Sequence, residues 1–321
     1  MAILGIDVSK ADFHAFLIDG NQTAKKSFSN TTAGFKQLQH WLRNRGAREI
    51  FACMEATGSY WEALALHLHE AGHQVSVVNP SRTKAYAQSE LLRAKTDAVD
   101  AAMIARFAQA QNPALWRPPA PETRLLQDLV RHLEHLKTNR AEQKVRLQTP
   151  GLQPVVKTSI RKLIAALDGQ IREFEKAIDD HIDGHPGLKE QRALLVSIDA
   201  IGDTTAALIL AEIPNISQFY SGRAVAAYAG LSPKTKQSGS SIRGRGAVCK
   251  TGNARLRKAL YFPALTAMRF NPILKAFADR LALRGKPPMV IVVAVMRKLL
   301  VLAYGVLKSG RHFEPALPAA A

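Results

Sequence analysis

Ala2-Ile3-Leu4-Gly5-Ile6-Asp7-Val8-Ser9 is a short apolar run with one acid, Asp7, inside it. Its length and branched residues predict a buried strand, and a carboxylate in such a strand needs a compensating partner. Outward from it, Asp12 to Ile18 and Thr23 to Phe28 read as two more strands, joined by the hairpin signal Asp19-Gly20-Asn21. Phe35, Leu38, Trp41 and Leu42 then recur at helical spacing. Glu49 to Met54 is another apolar strand, with Glu55 at its end before Ala56-Thr57-Gly58. Trp61 to Ala71 reads as helix and Gln74 to Val78 as strand, closed by Asn79-Pro80. Lys95-Thr96-Asp97-Ala98-Val99-Asp100-Ala101 opens an alanine-rich helix reaching Ala110, on which Asp97 and Asp100 face the same way.

Three strands, helix, strand, helix, strand and a late acidic helix is the element order of a ribonuclease-H-like nuclease domain. Such a domain gathers a first-strand Asp, a Glu ending the fourth strand and carboxylates on a late helix. Asp7, Glu55, Asp97 and Asp100 occupy those places. Any one of them alone reads as a solvated residue or a helix cap. Four together would repel strongly unless cations lay between them, and hard oxygen ligands suit Mg²⁺ or Mn²⁺. Two such metals hold the attacking and leaving oxygens of a phosphodiester in line, so phosphodiester cleavage or transfer is the expected reaction class. Asp12 reads as a surface residue.

At 321 residues and 47% hydrophobic, the chain is long enough for two or three domains. No apolar run reads as a membrane span and the start lacks a basic-then-apolar leader, so the expectation is a cytoplasmic protein with no membrane partner. Cys53 and Cys249 have no partner at metal-ligand spacing and read as small buried residues of a reducing compartment. The formal charge of +18 and a pI near 10.1 point to a polyanionic partner. Between Ile213 and Ala278 there is no Asp or Glu, while Arg223, Lys234, Lys236, Arg243, Arg245, Lys250, Arg255, Arg257, Lys258, Arg269 and Lys275 are all basic. A one-sign segment of that length argues for phosphate contact, and it lacks the aromatic-anchored apolar moment of a membrane-surface helix.

Pro118, Pro119 and Pro121 mark a break. Leu125, Leu129, Leu133 and Leu136 follow at helical spacing, and after Thr149-Pro150-Gly151 the residues Ile160, Ile164, Leu167, Ile171, Phe174 and Ile178 alternate by four and three. That heptad spacing predicts either a self-packed hairpin of long helices or a coiled coil between chains, with dimerisation favoured. Past His185-Pro186-Gly187 a second globular region begins. Ile198-Asp199-Ala200-Ile201-Gly202 followed by Asp203-Thr204-Thr205-Ala206 resembles a nucleic-acid-binding helix-hairpin-helix, with Asp199-Ala200 where that motif has Pro-Gly. Gln237-Ser238-Gly239-Ser240-Ser241 is a polar loop inside the acid-free segment, where a hydroxyl could act as a nucleophile if a base or metal activates it. Gly252 to Leu260 and Met289 to Leu307 read as helices, the second apolar enough to be core.

Gly5-Ile6-Asp7-Val8-Ser9-Lys10, Glu55-Ala56-Thr57-Gly58, Lys95-Thr96-Asp97-Ala98-Val99-Asp100, Tyr228-Ala229-Gly230-Leu231 and Ser238-Gly239-Ser240-Ser241-Ile242-Arg243-Gly244 stand in a joint order that resembles one family over nearly the whole chain. It is that of the DEDD-type transposases of insertion sequences, the insertion-sequence one-hundred-and-ten family. The resemblance implies an α/β plus α architecture: a RuvC-like catalytic domain over 1–117, a coiled-coil dimerisation region over 118–184 and a mostly helical C-terminal transposase domain over 185–314; the Pro/Ala-rich end, 315–321, reads from its composition as a disordered tail. It implies Asp7, Glu55, Asp97 and Asp100 as the metal-binding tetrad and Ser238 as the nucleophile that joins to DNA, with Ser240 and Ser241 as alternatives. Lys234, Lys236, Arg243, Arg245, Lys250, Arg255, Arg257 and Lys258 are the nucleic-acid contacts expected from the charge map. The implied partners are target and donor DNA, a structured bridge RNA whose loops pair with both, and further copies of the chain in a tetramer built as a dimer of dimers. The bacterial nucleoid is where such a protein would act. Two rivals remain from the residues alone: a hydrolytic nuclease or junction resolvase using water, and a non-catalytic RNA-binding scaffold.

Overall fold

In the computed structural model, which describes residues 1–90, 97–234, 237–238, 242–243, 247–249 and 251–315, the opening run forms β1 (Ala2–Val8). It is followed by β2 (Asp12–Asp19), β3 (Gln22–Ser29), α1 (Thr32–Arg43), β4 (Ile50–Glu55), α2 (Glu62–Glu70), β5 (Gln74–Val78), α3 (Pro80–Ser89) and α4 (Asp97–Gln111). The strands make one five-stranded sheet in the order β3-β2-β1-β4-β5. β1, β2 and β3 pair antiparallel, whereas β4 and β5 run parallel to β1. This mixed α/β unit, Met1–Pro118, has the element order expected from the sequence, apart from α3.

The sheet alternates cleanly, and that alternation sorts its helices. Leu4, Ile6, Ala52 and Met54 share a core with Phe35, Leu38 and Leu42 of α1 and Leu64 and Leu68 of α2. On the opposite face Phe51, Cys53 and Val78 pack with Met103, Ile104 and Phe107 of α4. Gly5 faces that way too, and α4 lies so close that a Cβ on Gly5 would sit 2.2 Å from the Ala101 carbonyl oxygen and 2.3 Å from the Ala105 nitrogen. Only glycine leaves room there.

α3 departs from the sequence expectation, in which Asn79-Pro80 only closes a strand. That pair is equally a helix start: the Asn79 side chain accepts from the Ser81 N–H, and Pro80 is in the first turn.

The second unit is Pro119–Ala321. It opens with α5 (Pro121–Leu147) and α6 (Pro154–Asp183), two long helices that pack on each other. Leu126, Val130, Leu133 and Leu136 of α5 lie in one core with Leu167, Ile171, Ile178 and Ile182 of α6. Lys137–Glu175 at 2.7 Å and Arg140–Asp168 at 2.9 Å cross between them in antiparallel register. The heptad stripe of α6 is thus satisfied within the chain over these residues. The same core continues through α7 (Pro186–Val196), α8 (Asp203–Glu212), α9 (Gly222–Tyr228), α10 (Ala254–Ala259), α11 (Tyr261–Phe270), α12 (Pro272–Leu283) and α13 (Pro288–Ser309). The two compact units divide after Pro118, and the residues on either side of 184 share a single core.

α13 corrects the expectation that no run is long and apolar enough to span a membrane. It is 22 residues long and contains an 18-residue stretch of mean hydropathy 2.2, so it passes that test. Its buried face, including Val295, Leu299 and Leu300, packs on α7, α9, α11 and α12, as a core helix does. Residues 316–321 of the expected tail lie outside the described residues.

All three tryptophans, Trp41, Trp61 and Trp116, fall in the first unit, so tryptophan fluorescence reports on it alone. Gly5→Ala should destabilise that unit by about 3 kcal/mol in fluorescence-detected urea unfolding, because the added methyl meets helix backbone rather than a side chain that can swing away. A melt indistinguishable from wild type would contradict the close packing.

Candidate catalytic site and nucleic-acid interface

The last paired residues of β1 and β4 are Ile6 and Met54. Asp7 and Glu55 come next on adjacent parallel strands, and the pleat turns both to the face covered by α4, with Gly5 and Cys53. Both acids are half-buried. Ala101 sits over Gly5, so Asp100, itself half-buried, precedes by one residue the point where α4 crosses β1. Asp97 begins α4, but its side chain lies outside the described residues. Two of the four expected acids, Asp7 and Glu55, are therefore carried to one end of one sheet face, and Asp100 lies in the first turn of the helix that covers it. Among the described residues no group of three or more His, Cys, Asp or Glu side chains is placed to hold a metal ion.

Sequence reasoning missed what α3 adds to this face. The buried Thr83 hydroxyl donates to Glu55 Oε1 at 2.5 Å, fixing that carboxylate. Arg82 lies over the Phe107 ring, 5.4 Å from its centroid. Burial pushes the Cys53 thiol up to about 12; the Arg82 charge opposes the shift and Glu55 adds to it. The helix-start pair Asn79-Pro80 was the signal that could have revealed both residues. Asp12 is exposed, as expected, and bonds Ser9 at the turn between β1 and β2.

In the second unit Ser238 stands on a hairpin. β6 (Pro233–Lys234) pairs antiparallel with β9 (Ala247–Val248), and β7 (Gln237–Ser238) with β8 (Ile242–Arg243), setting Ser238 opposite Ile242. Lys236, Ser240, Ser241, Arg245 and Lys250 lie outside the described residues, as do the side chains of Lys234, Ser238 and Arg243. Lys258 is exposed on α10. Its neighbours are partly engaged: Arg257 donates to the Ala229 carbonyl at 2.9 Å, and Arg255 lies 3.8 Å from Glu134 and 3.9 Å from Glu212. The helix-hairpin-helix-like turn joins α7 to α8 with Ala200 at φ +84°, the left-handed conformation its usual glycine would adopt freely. Asp203 in the first turn of α8 puts a negative charge at the helix end that would otherwise attract phosphate.

Residues 4–150 match a DEDD transposase family, and residues 192–279 match the transposases described as the IS116/IS110/IS902 family. A pilin gene-inverting protein of Moraxella bovis is 34% identical over 314 residues, covering 97% of both chains. The chain belongs to the IS110 family of transposases. An uncharacterised 43.6 kDa protein of insertion element IS110 from Streptomyces coelicolor is 30% identical to this transposase over 207 residues, 64% of this chain and 48% of the other. Among solved structures, T. thermophilus RuvC in complex with a Holliday junction substrate aligns with 36% of this chain and 99% of its own at 12% identity, with a TM-score of 0.28.

Two measurements probe the two regions. A thiol reagent on the native transposase should modify half-exposed Cys249 and leave Cys53 unmodified until the chain is unfolded; rapid modification of both would contradict the packing of α4 on the sheet. Ala200→Gly should raise stability by about 0.5–1 kcal/mol in circular-dichroism-detected unfolding, by relieving the left-handed alanine.

Proposed function

We propose that this transposase cuts and rejoins DNA strands through a covalent intermediate on Ser238, with Asp7, Glu55, Asp97 and Asp100 as the acidic set that activates the reaction. The observation that carries the reading is the placement of Asp7 and Glu55 side by side at the ends of β1 and β4, on the face that α4 crosses just after Asp100. Hard carboxylate oxygens at that place fit Mg²⁺ or Mn²⁺ better than any softer metal. When bound, such cations supply charge neutralisation at the scissile phosphate and lower the pKa of a coordinated hydroxyl.

The chain's own residues do the rest. The Ser238 oxygen bonds to phosphorus, the bond to the leaving deoxyribose oxygen breaks, and that oxygen takes up a proton. A hydroxyl of the exchanged strand then attacks the phosphoserine, releasing the serine with its proton restored. One phosphodiester is made for each one broken, so joining needs no nucleotide triphosphate. The name of the Moraxella relative supports rejoining over plain hydrolysis, since inverting a gene requires its cut ends to be sealed.

The acid-free basic segment supports contact with nucleic-acid backbone through Lys258 and, from the sequence, Lys234, Lys236, Arg243, Arg245 and Lys250, with Arg255 and Arg257 contributing from their partly engaged positions. We extend the reading to a structured bridge RNA that selects target and donor DNA by base pairing, which lets a chain with few base-reading motifs act at defined sites. The functional regions follow the expected 1–117, 118–184 and 185–314. Val145 and Val155, 70% and 75% exposed where α5 and α6 meet their connecting turn, support a coiled-coil contact with a second copy. In the resulting dimer of dimers, the acids of one copy work with the serine of another.

Incubation with DNA, the structured RNA from the flanking element and Mg²⁺ should give a denaturant-stable protein–DNA adduct, absent in Ser238→Ala. Cleaved ends without an adduct would replace the serine with water. Asp100→Asn should abolish adduct formation while leaving nucleic-acid affinity unchanged or slightly higher. Lys258→Ala should weaken binding and lower the log–log salt slope by about 1.

A further inference from the structure

Glu212 is the last acid before the acid-free segment, and it is only 4% exposed. A buried carboxylate persists where its oxygens are held, and here both are. Oε2 accepts from Asn253 Nδ2 at 2.6 Å, while Arg131 Nε of α5 and an Arg255 guanidinium nitrogen of α10 lie 3.4 and 3.9 Å from Oε1. The Glu212 main-chain carbonyl accepts from the Tyr228 hydroxyl at 3.1 Å.

Tyr228 and Asn253 are the two feet of the hairpin that carries Ser238. The Asn253 N–H donates to the Tyr228 carbonyl at 2.7 Å, and its side chain caps α10 by accepting from the Leu256 N–H at 3.0 Å. Gly252 is pressed against the same helix end, where a Cβ would sit 2.4 Å from the Tyr228 carbonyl oxygen. Three residues nearer the tip, the Cys249 N–H donates to the Ser232 carbonyl at 2.8 Å, and the β6–β9 pairing begins. The ladders themselves are two residues long per strand and hold few hydrogen bonds. The described ends of this segment are thus tied to the helical core at Tyr228 and Asn253. Both feet bond to one residue, which is itself fastened to α5.

We propose that Glu212 is a positioning residue for strand transfer: by fixing Tyr228 and Asn253 it holds the Ser238 hairpin at the angle from which its hydroxyl reaches the phosphate. This rests on the serine reading above. A Gln at 212 has the same shape and one acceptor, but it turns an amide toward Arg131 and Arg255 and loses the charge that holds them.

The test uses the full chain with its RNA, DNA and Mg²⁺. Glu212→Gln should keep its circular dichroism and nucleic-acid affinity, form the protein–DNA adduct at least tenfold more slowly, and be cut by trypsin at least tenfold faster within residues 234–250 and nowhere else. Glu212→Gln combined with Asn253→Asp rebuilds the amide–carboxylate pair in the opposite order and should recover at least a third of the adduct rate. Tyr228→Phe, which removes only one hydroxyl, should slow the adduct three- to fivefold and serves if Glu212→Gln does not fold. A wild-type adduct rate in Glu212→Gln, a loss of affinity matching the loss of rate, or unchanged trypsin cleavage in both single variants would overturn the proposal. An adduct that survives Ser238→Ala would instead sink the serine reading, and the trypsin result would still judge the anchoring by itself.

Discussion

Backbone contact between α4 and β1 is the constraint on which the first unit depends. Most helix-on-sheet packing is mediated by side chains and tolerates substitution by repacking. At Gly5 the helix carbonyl and amide lie where a side chain would be, so the separation between helix and strand is set by van der Waals contact of main chain. Small residues at Ala101 and Ala105 complete the fit from the helix side. That approach lays α4 directly on the sheet face that carries Asp7 and Glu55.

The elements of the first unit were largely legible because each has a local cause. A hairpin between β2 and β3 follows from Asp19-Gly20-Asn21, the α1 face from Phe35, Leu38, Trp41 and Leu42, and the alternation of β1 from its own residues. What could not be read were features that depend on tertiary partners. Pro80 ends a strand or begins a helix with equal local plausibility, and only the Thr83–Glu55 and Arg82–Phe107 contacts show which use was made of it. The heptads of α6 were equally ambiguous, since an apolar stripe does not say whether its partner is in the same chain. Basic residues carried a similar blind spot: Arg257 counts as free charge in a composition, yet its guanidinium is engaged with the Ala229 carbonyl. Glu212 borders the acid-free stretch in the sequence, and its place after the apolar run Ala206 to Ala211 of α8 is the signal of buried polar organisation.

The second unit is built differently. One continuous apolar core runs from α5 to α13, and ion pairs tie its helices together around that core. Arg192 joins Asp179 and Asp183 of α6 from α7, and Arg140 holds the Asp168 carboxyl below its ordinary range across the α5–α6 pair. These are partly exposed pairs that set register more than they add stability. The Glu212 cluster differs in being buried, so its geometry is far less negotiable.

α13 carries a consequence for how the chain is made. An unpartnered segment of that length and greasiness is a candidate for misdirected insertion or clumping while it is uncovered. Every helix that α13 packs against precedes it. A nascent polypeptide therefore presents a ready-made seat when this segment leaves the ribosome, and the order of elements along the gene shortens the interval in which it is sticky.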